Sequence, residues 1–140
     1  MRLFLDSSAL IYYFEGTAAL HVHLSAYFTQ LKALYPEATF CVSRLCIMEC
    51  YVKPLRENNA FLLEKYGAFF KTVEIVDLVQ NVVEQATLIR AHYGLKTADA
   101  IQAACALSQG SQLLFITGDQ GFKRVPDLKV SVVSLPTALR

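Results

Sequence analysis

The chain has 140 residues, 54% of them hydrophobic, a mean hydropathy of +0.36 and a formal net charge of +1. No apolar run is long enough to span a membrane, the start does not read as a secretory leader, and the charge argues against a broad phosphate-binding surface. The expectation is one cytoplasmic domain over residues 1–140, large enough for a real core, with excess apolar surface for a subunit or partner interface.

Arg2, Leu3, Phe4 and Leu5 read as a short buried strand ending at Asp6, and Ser7 or Ser8 is placed to cap a helix that runs to about Phe14. Gly16 breaks that helix. Thr17 can cap a second, residues 18–34, with Leu20, Leu24, Phe28 and Leu31 on one face. Residues 39–42 form a second strand, and Ser43 starts a helix over 44–52, with Leu45 and Met48 inward and Pro54 closing it. A helix fits 59–70 and a third strand 73–76. Asp77 is placed to cap a helix over 78–93, which Gly94 stops. Thr97 is placed to cap a short helix over 98–107. Strands at 112–116 and 130–133 complete the chain. Short β-branched strands separated by helices, with no hairpin turns, predict a parallel sheet of about five strands between helical layers, an α/β/α sandwich.

Cys41, Cys46, Cys50 and Cys105 include no C-x-x-C pair and read as reduced, buried thiols rather than a zinc site. His21, His23 and His92 are scattered and read as surface or structural residues.

The carboxylates carry the chemistry. Glu37, Glu57, Glu64 and Glu84 sit among polar residues and read as solvated helix faces. Asp6, Glu49, Asp99 and Asp119 do not. Asp6 ends the first strand and Glu49 lies in an apolar segment. Asp99 sits in the first turn of a small-residue helix, and Asp119 follows a strand after Thr117 and Gly118. Each has a simple explanation alone: a cap at Asp6, an arginine pair at Glu49, helix-dipole complementarity at Asp99, a turn at Asp119. Together they fall at strand tips or helix starts on one edge of one sheet, where ligands bind in open parallel sheets. Clustered carboxylates repel one another, so protons or cations must neutralise them. Mg2+ or Mn2+, which take oxygen ligands, are the natural candidates. Ser8 and Thr117 stand two residues from Asp6 and Asp119 and can orient them, or serve only as caps.

This ordered set resembles the PIN domain, and within it the VapC-like toxin ribonucleases of toxin–antitoxin pairs. The resemblance runs from residue 1 to about 136. Two positions depart from the family's usual pattern: Gly118 stands where an asparagine is common, and Gln102 where a histidine is common. The resemblance implies a PIN-like fold and a metal-dependent endoribonuclease. It implies Asp6, Glu49 and Asp99 as ligands of one Mg2+ or Mn2+ ion. Asp119, with Asp6, would hold a second ion or position the attacking water. Hydrolysis would leave 5′-phosphate and 3′-hydroxyl ends, with no covalent nucleophile. It implies an RNA substrate, an antitoxin protein and a homodimer. Arg44, Arg56 and Lys96 are the first candidates to grip RNA, with Lys53, Lys123 and Arg124 behind them; Tyr12, Tyr13 and Phe14 could stack bases or form an interface.

Three rivals compete. A haloacid dehalogenase-type phosphatase needs an acid where Ser8 stands. A phospho-acceptor receiver domain needs paired acids at strand one and a lysine after strand five, but Lys129 precedes that strand. A PIN-like module that only binds RNA or protein would lack cleavage.

Overall fold

In the computed structural model, which describes residues 1–133, five strands form one fully parallel sheet in the order β3-β2-β1-β4-β5. The strands are β1 (Arg2–Leu5), β2 (Thr39–Ser43), β3 (Glu74–Val76), β4 (Leu113–Thr117) and β5 (Val130–Val132). The helices are α1 (Ser7–Glu15), α2 (Ala18–Leu34), α3 (Arg44–Arg56), α4 (Ala60–Phe70), α5 (Gln80–Tyr93) and α6 (Thr97–Leu107). The expected single domain extends into residues 134–140, which lie outside the described residues.

The strand pattern explains the two helical layers. Successive strand residues face opposite ways. Leu3, Leu5, Val42 and Ile116 therefore enter one core with residues of α1, α2, α3 and α4. Phe4, Cys41, Leu113 and Phe115 enter the other, against α5 and α6. β1 lies in the middle, paired with β2 on one side and β4 on the other. The strand order reverses direction there, which opens a crevice beyond its tip.

Several boundaries differ from the sequence reading. Asp6 itself caps α1, accepting from the Ser7 amide. Met48 is 58% exposed rather than inward. Pro54 lies inside the last turn of α3, which runs two residues further at the loss of one bond to the Cys50 carbonyl. α5 starts at Gln80 without a side-chain cap, because Asp77 instead accepts from Arg44 at 2.8 Å. Thr97 is the first residue of α6, preceded by Lys96 at the cap. Gly94 ends α5 at φ 68, a left-handed position that glycine adopts freely. A short 3-10 helix, η1 (Gln120–Arg124), follows Asp119. Phe122 anchors it by packing on Phe115, ring centres 4.6 Å apart. Among the described residues no helix is long and apolar enough to cross a membrane.

Candidate active site

The tip of β1 delivers Asp6 to the crevice, 6% exposed. Its carboxylate is held from three sides. Oδ1 accepts from the Ser7 amide at 2.9 Å. Oδ2 accepts from the Ser8 hydroxyl at 2.8 Å and the Thr117 hydroxyl at 2.7 Å. Ser8 and Thr117 thus both hold Asp6, Thr117 reaching it from β4 rather than serving Asp119 with its hydroxyl proton. Ser8 Oγ accepts from the Gly118 amide, and Thr117 Oγ1 from the Asp119 amide, each at 3.0 Å.

Burial pushes the Asp6 carboxyl up to about 6 against these bonds, with the charges of Asp99 and Glu49 adding to the rise. Asp99 is raised as well, by burial first and then by Asp119 and Glu49; Lys96 and Arg124 oppose the rise. The four predicted acids therefore share one electrostatic neighbourhood. Asp99 occupies the first turn of α6, where the helix dipole favours its charge. It accepts no hydrogen bond from the described residues. Asp119 is exposed, and its Oδ1 accepts from the Gly121 amide at 2.8 Å, which shapes the start of η1.

Glu49 pairs with neither Arg44 nor Arg56. Its Oε1 accepts from the Ser7 hydroxyl at 2.6 Å and from Gln102 Nε2 at 2.9 Å. The sequence reading named neither Ser7 nor Gln102 as part of the site. Gln102 is 1% exposed, and an amide on the buried face of an otherwise small-residue helix is the signal that could have marked it.

The cations divide. Lys96 and Arg124 lie close enough to lower the Asp99 value. Arg44 is bound to Asp77, and Lys53 faces Glu15 at 3.6 Å. Arg56 is exposed at the end of α3, about 10 Å of helix rise beyond Glu49. Lys123 is exposed on η1. Gly118 has a reason of its own. A Cβ there would meet Tyr12 Cε2 at 2.9 Å, so the Tyr12 ring fills the space an asparagine side chain would take.

Among the described residues, no three acidic, histidine or cysteine side chains already stand as a metal cage. The donors still suit a hard divalent cation, since all four acids offer carboxylate oxygen. Asp6, Glu49 and Asp119 are held by hydrogen bonds, whereas half-buried Asp99 accepts none from the described residues.

A PIN domain family model matches residues 3–128. The chain belongs to the PIN domain family. The fold matches VapBC2 from Rickettsia felis bound to a promoter DNA fragment, with a TM-score of 0.77 at 18% identity, covering 94% of this chain and 98% of that one. It also matches a toxin–antitoxin complex from Klebsiella pneumoniae, with a TM-score of 0.71, 22% identity and the same coverage, 94% and 98%. VapBC-1 from nontypeable Haemophilus influenzae gives a TM-score of 0.73 at 17% identity, again covering 94% and 98%. No curated protein sequence matches the chain. These likenesses place the five-stranded parallel sheet and its helices within the PIN fold.

Proposed function

We propose that this PIN-domain protein is a metal-dependent endoribonuclease, the toxin of a toxin–antitoxin pair, working in the cytoplasm. One observation supports this reading most: at the strand tips Asp6 feels the charges of Asp99 and Glu49, and Asp99 those of Asp119 and Glu49. Asp6, Glu49 and Asp99 would hold one Mg2+ or Mn2+ ion. Asp119, with Asp6, would hold a second or orient the attacking water. The bound ion supplies a lowered pKa for water and offsets charge on the scissile phosphate.

The chain's own residues do the rest. Ser8 and Thr117 fix the plane of the Asp6 carboxylate. Lys96 and Arg124 put positive charge beside the acids, where an RNA phosphate would lie. The Ser7 hydroxyl donates to Glu49 and so helps fix that carboxylate. The buried cysteines are poor nucleophiles. Burial pushes the Cys41 thiol up to about 12 and the Cys105 thiol to about 11. In this reading water attacks the phosphorus, and the products carry 5′-phosphate and 3′-hydroxyl ends. The four free buried thiols suit a reducing compartment.

An apolar groove of about 540 Å3, lined by Leu10, Tyr13, Phe14, Phe28, Phe40 and Phe69, offers an antitoxin segment a place for apolar side chains. Exposed Met48, Val52 and Leu55 form one stripe along α3 and support a homodimer. The second reading is a module that binds RNA or protein without cutting; the open arrangement of the acids favours it. An RNA cleavage assay with mapped ends decides between them. Cleavage that needs Mg2+ or Mn2+, stops with chelator and leaves 5′-phosphates is expected. No metal-dependent cleavage by purified protein would leave the binding module standing.

A further inference from the structure

Gln102 carries an amide with donors and acceptor to satisfy, and it is buried to 1% exposure. Its orientation is fixed from the β2 side. Ser43 Oγ accepts from the Cys46 amide at 3.0 Å as it caps α3, and so donates its proton to Gln102 Oε1 at 2.7 Å. That bond turns Gln102 Nε2 the other way. Nε2 then donates to Glu49 Oε1 at 2.9 Å and to Ser7 Oγ at 3.2 Å. The Ser7 hydroxyl donates to the same Glu49 oxygen at 2.6 Å. Two donors therefore converge on Oε1, and none of the described residues donates to Oε2. Among the described residues, no buried side-chain polar atom lacks a partner, so the network is closed.

The network joins four elements: the end of β2 through Ser43, the start of α1 through Ser7, α3 through Glu49 and α6 through Gln102. Glu49 has three side-chain torsions, and on a half-exposed helix face it would sample several rotamers. Two donors on one oxygen remove most of that freedom. The second oxygen, Oε2, accepts no hydrogen bond from the described residues.

We propose that Gln102 is a positioning residue for Glu49. Together with Ser7 it occupies Oε1 and presents Oε2 to a divalent cation. This rests on the metal-dependent reading above. Gln102 touches neither substrate nor ion; it acts through the carboxylate. A purely structural role for the same amide would change the melting temperature and leave cation affinity alone.

The test is Mn2+ binding to the full metal-stripped chain without RNA, read by calorimetry and by the electron paramagnetic resonance of free Mn2+. Gln102→Met keeps the volume and removes the Nε2 donor to Glu49 while leaving Ser7 in place. Loss of an outer hydrogen-bond partner typically weakens metal affinity by about 10- to 100-fold. We expect Mn2+ binding at least about tenfold weaker in Gln102→Met, with the cleavage rate recovering at saturating Mn2+. Combined with Glu49→Gln, the substitution should weaken Mn2+ binding no further than Glu49→Gln does alone, because the effect runs through Glu49. Wild-type affinity in a folded Gln102→Met chain overturns the proposal, as does full additivity in the double variant. If circular dichroism shows Gln102→Met unfolded, Ser7→Ala removes the other donor and is read the same way: weaker binding supports the proposal, unchanged binding overturns it. A wild-type chain that binds no Mn2+ defeats the metal reading itself, and that result is seen before any variant is compared.

Discussion

Charge at Asp6 opposes folding, so removing it should stabilise the metal-free chain. The Asp6 carboxyl is pushed from the ordinary 3.8 to about 6, chiefly by burial. Between these values the folded chain binds more protons than the unfolded one. Stability therefore falls as pH rises through that window and stays lower above it. At about 1.4 kcal/mol per pH unit of the gap, the loss reaches about 3 kcal/mol at neutral pH. Asp6→Asn removes the charge and keeps the shape. Its amide oxygen still accepts from the Ser7 amide, and the Ser8 and Thr117 hydroxyls can accept from the new N–H groups. The expected result, in EDTA at pH 8, is a variant more stable than wild type by up to about 3 kcal/mol. At this chain length that is a rise in Tm of up to roughly 10 °C. About half the advantage should remain at pH 5, and little at pH 4. Thermal unfolding followed by circular dichroism across these pH values measures it. A variant no more stable than wild type at pH 8, with no trend in the difference, would refute the claim that burial holds this carboxyl high.

Other outcomes follow from the same geometry. Asp99→Asn should abolish RNA cleavage, since Asp99 is the acid left without a hydrogen-bond partner among the described residues; its circular dichroism spectrum should match wild type, and full activity in nuclease-free protein sinks the assignment. An RNA with a 2′-deoxy sugar at the cleaved position should still be cut, because water and not the 2′-hydroxyl attacks; complete resistance means another chemistry. Tyr66, fully buried, donates to Glu15 Oε2 at 2.5 Å. Tyr66→Phe leaves that carboxylate short of a donor and should cost about 1–3 kcal/mol in urea unfolding with cleavage unchanged. A neutral result would show that Lys53, at 3.6 Å, suffices for Glu15.

The sheet was legible in the sequence because period and punctuation agree. Strand residues such as Leu3, Leu5, Phe4 and Phe115 are apolar on both faces, as a doubly covered parallel sheet requires. Gly94 falls where a left-handed helix end needs it. Local signals failed where a tertiary contact outbid them. Asp77 looks like a cap but is taken by Arg44 across the sheet edge. Met48 looks like core because its neighbours are apolar, yet α3 turns it outward. The four acids could be picked out because charged residues at strand tips and in apolar helices are conspicuous. The roles of Ser7, Ser43 and Gln102 were harder to read, because uncharged polar residues reveal them through partners 42 to 95 positions away in sequence.

Gly118 yields its space to Tyr12, and Gln102 reaches both Ser7 and Glu49 with one amide nitrogen. The charged Asp6 is a net burden on the metal-free fold. An ion that binds only the folded chain stabilises it by about 2.7 kcal/mol at a hundred times its Kd. That is close to the roughly 3 kcal/mol that the charged Asp6 costs at neutral pH. A cation at that concentration would offset the strain that its own ligand imposes. Asp6→Asn, which has lost both the cost and the ligand, should gain almost nothing from added Mg2+. The stability gap between variant and wild type in EDTA should therefore close as Mg2+ is titrated, and a gap indifferent to Mg2+ would separate the buried charge from any metal site.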